Sequence, residues 1–187
     1  MYRAVALWAT RLHVAFSDMH KLEQLAEQAE ISFVAGESTV LLNGEDVTHA
    51  IRTRAMGQAA SQVSAVPGVR RAMVKSQREM GRQASVVMEG RDIGTIVFPE
   101  ADVKIFLDAQ PEERTQRRAR EMDVPAELVS EEIRERDLRD RTRAEAPLVQ
   151  APDALYLDTT GLSIDAVEQE LLRIIRERTS NGKERTH

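Results

Sequence analysis

Met88-Glu89-Gly90-Arg91-Asp92-Ile93-Gly94-Thr95 is the stretch around which the chain is organised. It follows the β-branched run Ser85-Val86-Val87 and leads back into the apolar run Ile96-Val97-Phe98-Pro99. This pattern predicts a buried strand that ends in a charged turn, the place where open α/β sheets carry ligand sites. The glycines permit close backbone approach, and the planar guanidinium of Arg91 suits phosphate or carboxylate. A surface loop with a structural Arg91–Asp92 pair explains these residues about equally well.

Composition indicates one globular domain with an aliphatic core. Of the 187 residues, 42% are hydrophobic but only 4% are aromatic, so valine, leucine, isoleucine, alanine and methionine must fill the interior. The net charge of −5 argues against bulk nucleic-acid binding, which needs a basic surface. Twenty-two of the 26 basic residues are arginine, which favours bidentate phosphate contacts, although a GC-rich coding sequence explains most of them equally well.

Several kinds of site and location are disfavoured by what the sequence lacks. Cysteine is absent, which rules out disulfides, thiolate metal sites and a cysteine nucleophile. The four histidines are scattered, without the spacing of metal ligands. No apolar run has the length of a membrane span, and the first residues have no signal-peptide layout. We therefore expect a cytoplasmic protein without membrane or nucleic-acid partners.

Hydrophobic periodicity predicts helices that alternate with short buried strands. Strands are predicted at 86–88, 103–107 and 154–158, and strands separated by helices indicate an open α/β sheet. Two further strands, 31–34 and 39–42, have turn signals at Gly36 and Asn43-Gly44 and predict a small antiparallel insert over 31–48. Helices are predicted over residues 1–14, 18–29, 50–65, 69–82, 111–122, 126–143 and 163–178. Residues 179–187 are polar and are predicted to be a disordered tail.

Capping residues and apolar spacing define where the helices begin and which side of each is buried. Ser17-Asp18 and Ser163 are N-cap signals, and Pro111 is followed by acidic residues that suit a helix start. The apolar faces of the second and last helices are predicted as Leu22, Leu25, Ala26 and Ala29, and as Ile164, Val167, Leu171 and Ile175.

The densest charge cluster is the helical stretch 134–143. Arg136, Asp140 and Arg143 share one helix face. A solvated helix explains the same stretch through pairs worth only ~0.3–0.5 kcal/mol each. Those pairs would be Glu135–Arg139, Arg136–Asp140 and Asp137–Arg141. However, a second arginine-bearing helix, with Arg114, Arg117 and Arg118, also follows a predicted strand, and two such helices near one strand end are typical of a polyphosphate clamp.

Taken together, these segments resemble bacterial cytidylate kinase, a P-loop nucleoside monophosphate kinase family. The resemblance covers residues 2 to about 178, and no single short motif carries it. The matching stretches are Asn43-Gly44-Glu45-Asp46-Val47, Ile51-Arg52-Thr53, Ala60-Ser61-Gln62-Val63, Gly90-Arg91-Asp92-Ile93-Gly94-Thr95-Ile96-Val97-Phe98-Pro99, Val103-Lys104-Ile105-Phe106-Leu107-Asp108-Ala109 and Arg136-Asp137-Leu138-Arg139-Asp140-Arg141. The resemblance implies a P-loop kinase-like parallel sheet with flanking helices. It also implies one kinase domain over 1–178, with the lid and arginine helices at 111–143.

The resemblance also implies an activity and a set of site residues. The activity is transfer of the γ-phosphate of ATP to CMP or dCMP, with Mg²⁺, in pyrimidine metabolism, by an enzyme that is monomeric when complete. By position, Ser61, Arg70 and Asp92 resemble the residues that recognise cytosine, and Arg3 and Arg91 resemble the phosphate ligands of CMP. Arg136 and Asp140 resemble the pair at the ribose. Arg143 resembles an arginine at the phosphates. Arg91, Arg136 and Arg143 would be the catalytic set, and Arg114, Arg117 and Arg118 lie where the lid begins. Carboxylate, guanidinium and hydroxyl groups complement the amine, ring nitrogen and carbonyl of cytosine.

The resemblance departs from the family at the ATP site. Kinases of this class cradle the ATP phosphates with Gly-x-x-x-x-Gly-Lys-Ser/Thr, whereas the only Gly-Lys here is Gly182-Lys183, followed by Glu184. We expect that an N-terminal strand, P-loop and helix, with a second strand, are missing from this chain. This is a segment of roughly 35–40 residues, the size of a βα unit plus a strand. The chain alone would then be inactive.

Two other readings remain from the sequence. A degenerate kinase-like protein would bind nucleotide without turnover. An arginine-rich interaction protein for RNA or acidic partners is disfavoured by the acidic net charge and by the scarcity of aromatic residues that could stack on bases.

Overall fold

The computed structural model describes residues 1–142 and 146–183, with side chains through residue 180. The chain divides into two compact units, Met1–Val87 (the N-unit) and Met88–His187 (the C-unit). Organisation as one kinase domain over 1–178 remains a prediction. Within the described ranges, no helix combines the length and the apolar composition needed to cross a bilayer.

The N-unit is built mainly from helices packed around small and aliphatic side chains. They are α1 (Tyr2–Arg11), α2 (Met19–Gln28), α3 (Arg54–Val63) and α4 (Pro67–Gln83). Helix α1 packs on α3, and α2 on α4. The alanines of α1 are fully buried, which lets α1 approach its neighbours closely. The interior between these helices is filled by Val5, Leu22, Val63, Val69 and Met73, each at most 1% exposed.

The predicted starts and faces of the early helices are largely confirmed. The Asp18 carboxylate accepts a hydrogen bond from the Lys21 amide at 3.1 Å, which caps α2, and Leu22 is buried on the predicted face. The helix predicted over 50–65 is instead interrupted. A 3₁₀ turn at Ala50–Arg52 precedes Thr53, which is extended and caps α3 through the Met56 amide. A β-branched residue with a hydroxyl is a better N-cap than a helix interior residue, which explains the break.

The small antiparallel insert forms as predicted. Strands β1 (Ile31–Phe33), β2 (Val40–Leu42) and β3 (Glu45–Asp46) pair in that order. Asn43 and Gly44 have φ of 51° and 81°, as a two-residue hairpin turn between β2 and β3 requires.

The C-unit contains a parallel strand pair and three longer helices among its described residues. Its elements are a π turn (Ile93–Val97), β4 (Ile105–Asp108), α5 (Pro111–Met122), α6 (Glu127–Thr142), β5 (Leu155–Asp158) and α7 (Ile164–Lys183). Strands β4 and β5 pair in parallel, with Asp108 opposite Asp158 at their carboxyl ends. Helix α5 begins at Pro111 as predicted and ends at Asp123, which is left-handed at φ 52°.

The strand predicted at 86–88 is wrong. Residues 85–89 adopt no regular structure and pair with no strand of the described chain, and Val87 is 99% exposed. The β-branched run has a high strand propensity, but a strand forms only where a neighbouring strand satisfies its backbone hydrogen-bonding groups. The other two predicted strands form, yet Leu107 and Tyr156 are about half exposed, so the expectation of fully buried strands is also corrected.

The last helix differs from its prediction at both ends. The Ser163 hydroxyl accepts from the Ala166 amide at 3.2 Å, which confirms the cap. Ile164 is 85% exposed, however, and Ile174 is buried, alone among the side chains described in this helix. Helix α7 continues to Lys183, so the tail boundary at 178 is wrong for 179–183, and 184–187 lie outside the described residues.

Candidate functional site

Ser61 and Arg70 are brought together in the N-unit by a short chain of hydrogen bonds. Arg70 Nη1 donates to the Ser64 carbonyl at 3.1 Å, and Ser64 Oγ donates to the Ser61 carbonyl at 3.0 Å. Both predicted site residues are buried, with Arg70 only 4% exposed. The closeness of α3 and α4, which only the Ser64–Val66 link separates in sequence, places them together.

Arg70 occupies an electrostatically unusual position. It lies in the first turn of α4, where the helix dipole disfavours a cation. The Tyr2 ring lies under its guanidinium, with 5.8 Å from Arg70 Cζ to the ring centroid, a contact that stabilises a buried cation. A charged residue kept in an unfavourable place is typical of a functional site.

Arg3, on α1, is anchored by a backbone contact. Its Nη1 donates to the Ile51 carbonyl at 3.0 Å, so the guanidinium is tied to the 3₁₀ turn. Because Arg3 directly follows Tyr2, the start of α1 carries both a predicted phosphate ligand and the ring that Arg70 covers. The structure thus links Ser61 with Arg70, and Arg3 with the 3₁₀ turn.

Gly90-Arg91-Asp92 leads into a π turn rather than an ordinary loop. The Asp92 carbonyl accepts from the Ile96 and Val97 amides at 2.9 and 3.2 Å, and the Ile93 carbonyl accepts from Phe98 at 2.7 Å. Such i→i+5 turns are rare and are often found at functional sites. A Cβ on Gly90 would lie 2.7 Å from Ile93 Cγ1, so a larger residue there would force the isoleucine side chain to shift. Asp92 is 6% exposed at the start of the turn.

One buried carboxylate holds two predicted site arginines in the C-unit. Asp140 Oδ2 lies 3.2 Å from Arg91 Nε and 3.8 Å from Arg136 Nε, and Asp140 is only 4% exposed. The predicted Arg136–Asp140 pair is confirmed. The Arg91–Asp140 pair was not predicted, because the two residues are far apart in sequence. Arg143, predicted on the same helix face, lies outside the described residues.

The arginines of α5 are engaged in contacts that stabilise the C-unit. Arg114 donates to the Asp137 carboxylate on α6, and its Nε donates to the Ala109 carbonyl at 3.1 Å. The Asp137 carboxylate, which a solvated helix would pair with Arg141, contacts Arg114 of α5.

Arg117 and Arg118 also have partners within the C-unit. Arg117 donates to Glu113 at 2.8 Å and to Thr159 Oγ1 at 2.9 Å, which ties α5 to the segment after β5. Arg118 donates to Glu121 at 2.7 Å. The ATP or lid role of the three α5 arginines remains a prediction.

The carboxyl ends of β4 and β5 carry acidic groups that the sequence analysis did not single out. The hydroxyl and amide of Thr160 hold the pKa of the Asp158 carboxyl below its usual value. Burial, followed by the charges of Asp108 and Asp158, raises the pKa of Tyr156. Among the His, Asp and Glu side chains that the structure describes, no three are arranged to hold a metal ion.

These contacts are of the kind found in anion-binding sites. Guanidinium groups are held in place by carboxylates and carbonyls, and two arginines, Arg91 and Arg136, contact the same Asp140 carboxylate. Such an arrangement is suited to phosphate.

Comparison with known proteins agrees with a site of this kind. The family model of cytidylate kinase matches residues 1–177. The chain is 56% identical to cytidylate kinase of Solibacter usitatus, covering 98% of this chain and 82% of that protein. It is 48% identical to that of Syntrophotalea carbinolica, over 95% and 79%, and 47% identical to that of Pectobacterium carotovorum, over 95% and 82%. The chain belongs to the cytidylate kinase family, and by lineage it is an enzyme.

Proposed function

We propose that this protein acts in the phosphorylation of CMP and dCMP, in which ATP is the donor and CDP and dCDP are the products. The reaction belongs to pyrimidine metabolism in the cytoplasm. The observation that carries the proposal is the buried Asp140 carboxylate with Arg91 and Arg136 on it, in a chain of the cytidylate kinase family. Phosphoryl transfer depends mainly on alignment and charge neutralisation, which such arginines supply.

The proposed base-recognition residues are Ser61, Arg70 and Asp92. Asp92 would accept from the exocyclic amine of cytosine, while the Arg70 guanidinium and Ser61 hydroxyl would donate to ring N3 and O2. The burial of all three side chains supports this assignment, since buried polar groups discriminate strongly between bases that do and do not complete their hydrogen bonds.

The proposed phosphate and sugar contacts come from arginines and one carboxylate. Arg3 and Arg91 would bind the CMP phosphate, and Arg136 with Asp140 the ribose, the carboxylate accepting from a ribose hydroxyl. Arg143 is assigned to the phosphates by the resemblance alone. Arg91, Arg136 and Arg143 would stabilise the charge that develops as a CMP phosphate oxygen attacks the γ-phosphorus and ADP departs.

The contacts of the protein with ATP are proposed in less detail than those with CMP. ATP is the phosphoryl donor, and Arg114, Arg117 and Arg118 are assigned to the lid near it. Mg²⁺ would arrive on the ATP phosphates, because this ion keeps several waters and needs few protein carboxylates. The sequence contains no Gly-x-x-x-x-Gly-Lys-Ser/Thr, so we propose that residues 1–187 alone bind CMP without turnover and that the complete enzyme is a monomer. The second candidate, a nucleotide-binding protein that never turns over, rests on the same observation.

Calorimetric titration of residues 1–187 with CMP and with ATP tests the proposal. We expect CMP to bind and Asp92→Ala to weaken its binding by about tenfold or more, because a charge-assisted hydrogen bond is lost. The affinity for ATP should change less, and coupled assays should detect no ADP formation by this chain.

Asp102→Ala is the matched control, because it removes an exposed carboxylate from the same segment. Failure of the unsubstituted protein to bind CMP would overturn the proposal. An equal loss of ATP and CMP affinity would make Asp92 structural, and measurable ADP formation would refute the inactivity of the chain alone.

A further inference from the structure

Lys104 is a charged residue that the proposed function does not use, and it is buried. Its side chain is only 7% exposed. The ammonium group lies 2.6 Å from Asp153 Oδ2 and donates to the Pro99 carbonyl. Lysine is almost never buried unless it is paired, so this arrangement requires a reason.

The aliphatic part of Lys104 covers the π turn. A Cβ placed on Gly94 would lie 3.1 Å from Lys104 Cδ and 3.4 Å from Cγ, so the lysine stem runs directly over this glycine. The ammonium reaches Pro99, beyond the end of the turn. One side chain therefore spans the π turn from its second residue to the segment that follows it.

The other end of the contact is the parallel strand pair. Asp153 lies just before β5, and the Leu155 amide donates to the Lys104 carbonyl at 3.0 Å. The hydrogen bond from Lys104 lowers the pKa of the Asp153 carboxyl. A lowered pKa keeps the carboxylate ionised at neutral pH, and the pair weakens only as the pH falls through that value. The backbone of Lys104 is thus bonded to the start of β5, while its side chain covers the π turn.

The π turn in turn carries two residues assigned to CMP. Asp92 supplies the carbonyl that closes the turn, and Arg91 precedes it. The Arg91 guanidinium is held from α6 by Asp140, while the backbone that follows it is held by Lys104. Loss of either anchor would let the residues at the turn move relative to bound nucleotide.

We propose that Lys104 is a positioning residue that, through the π turn and its ion pair with Asp153, holds Arg91 and Asp92 in the geometry that binds CMP. This inference rests on the proposed function of Arg91 and Asp92. Lys104 acts through these residues and is not itself a ligand of the nucleotide.

Lys104→Met in the full chain tests the proposal, because methionine keeps an unbranched stem over Gly94 and removes the charge. We expect the amides of Ile96, Val97 and Phe98 to exchange hydrogen about tenfold faster without nucleotide, while the amides of α1 and α3 are unchanged. The dissociation constant for CMP should rise about tenfold, as small displacements of binding groups lower affinity. Asp153→Asn, at an exposed site, should produce a smaller change in the same direction in both measurements.

Lys21→Met is the control, since Lys21 is an exposed lysine in an ion pair with Asp18. Unchanged exchange at residues 96–98, or faster exchange spread over the whole chain, would overturn the proposal. So would faster exchange of the turn with unchanged CMP affinity. If Lys104→Met does not fold, the proposal is tested with Asp153→Asn by the same two measurements, amide exchange at residues 96–98 and CMP affinity. If the unsubstituted protein does not bind CMP, the proposed function fails, and the exchange rates still report whether Lys104 holds the turn.

Discussion

Arg91→Ala is expected to weaken CMP binding by about 30-fold or more, the largest effect on binding at this site. Arg91 Nε lies 3.2 Å from the Asp140 carboxylate, which is 4% exposed. The substitution removes a proposed phosphate ligand and also reduces the compensation of a buried charge. Removing one partner of a charge pair across a binding interface, here Arg91 with the CMP phosphate, typically costs about 2 kcal/mol or more of binding free energy, which corresponds to about 30-fold.

Arg134→Ala provides the matched control for this measurement. Arg134 lies on α6, its side chain is 75% exposed, and it contacts Glu131 at 3.4 Å, so the same charge is removed from a solvated position. Calorimetric titration of CMP should show near-normal affinity for this variant. Equal affinities of the Arg91→Ala and Arg134→Ala proteins would remove Arg91 from the proposed site.

Leu22→Ala is expected to lower the free energy of unfolding by about 3 kcal/mol, since a fully buried leucine is replaced and a cavity remains. Leu22 is 0% exposed and lies in the core that joins α2 to the other N-unit helices. The chain has one tryptophan, Trp8, which packs against this same core. Its fluorescence during urea unfolding therefore reports on the N-unit.

Leu12→Ala is the matched control, because it makes the same change of side chain at an exposed position where little packing is lost. Leu12 immediately follows α1 and is 52% exposed, so its truncation should change the unfolding midpoint by only a small amount. If the two alanine variants unfold at the same urea concentration, the core described for the N-unit is incorrect.

Features that depend on neighbouring residues could be predicted from the sequence. The Asn43-Gly44 hairpin turn, the Asp18 cap and the start of α5 at Pro111 each need only a few consecutive residues. The resemblance proposed the site residues, and the structure then supplied partners for several of those that it describes.

Features that depend on distant partners could not be predicted. A strand at 86–88 would need a neighbour, which no local pattern specifies. The Arg91–Asp140 pair joins a turn to a helix that begins well after it. Lys104 did leave a signal, because a single cation inside the apolar run 103–107 is unusual for a strand, but only the structure identifies Asp153 and Pro99 as its partners.

Asp140 also affects how CMP binding should respond to salt. In the absence of nucleotide, this carboxylate already acts as an internal counterion for Arg91 and Arg136. A CMP phosphate would then bind beside arginines whose charge Asp140 already partly compensates, so screening by salt weakens the attraction less than it would at two uncompensated arginines. We expect CMP affinity to fall only gently as the salt concentration rises, and a steep fall in a salt titration would contradict this compensation. A gentle fall would mean that the protein selects its nucleotide by the geometry of its contacts more than by net charge.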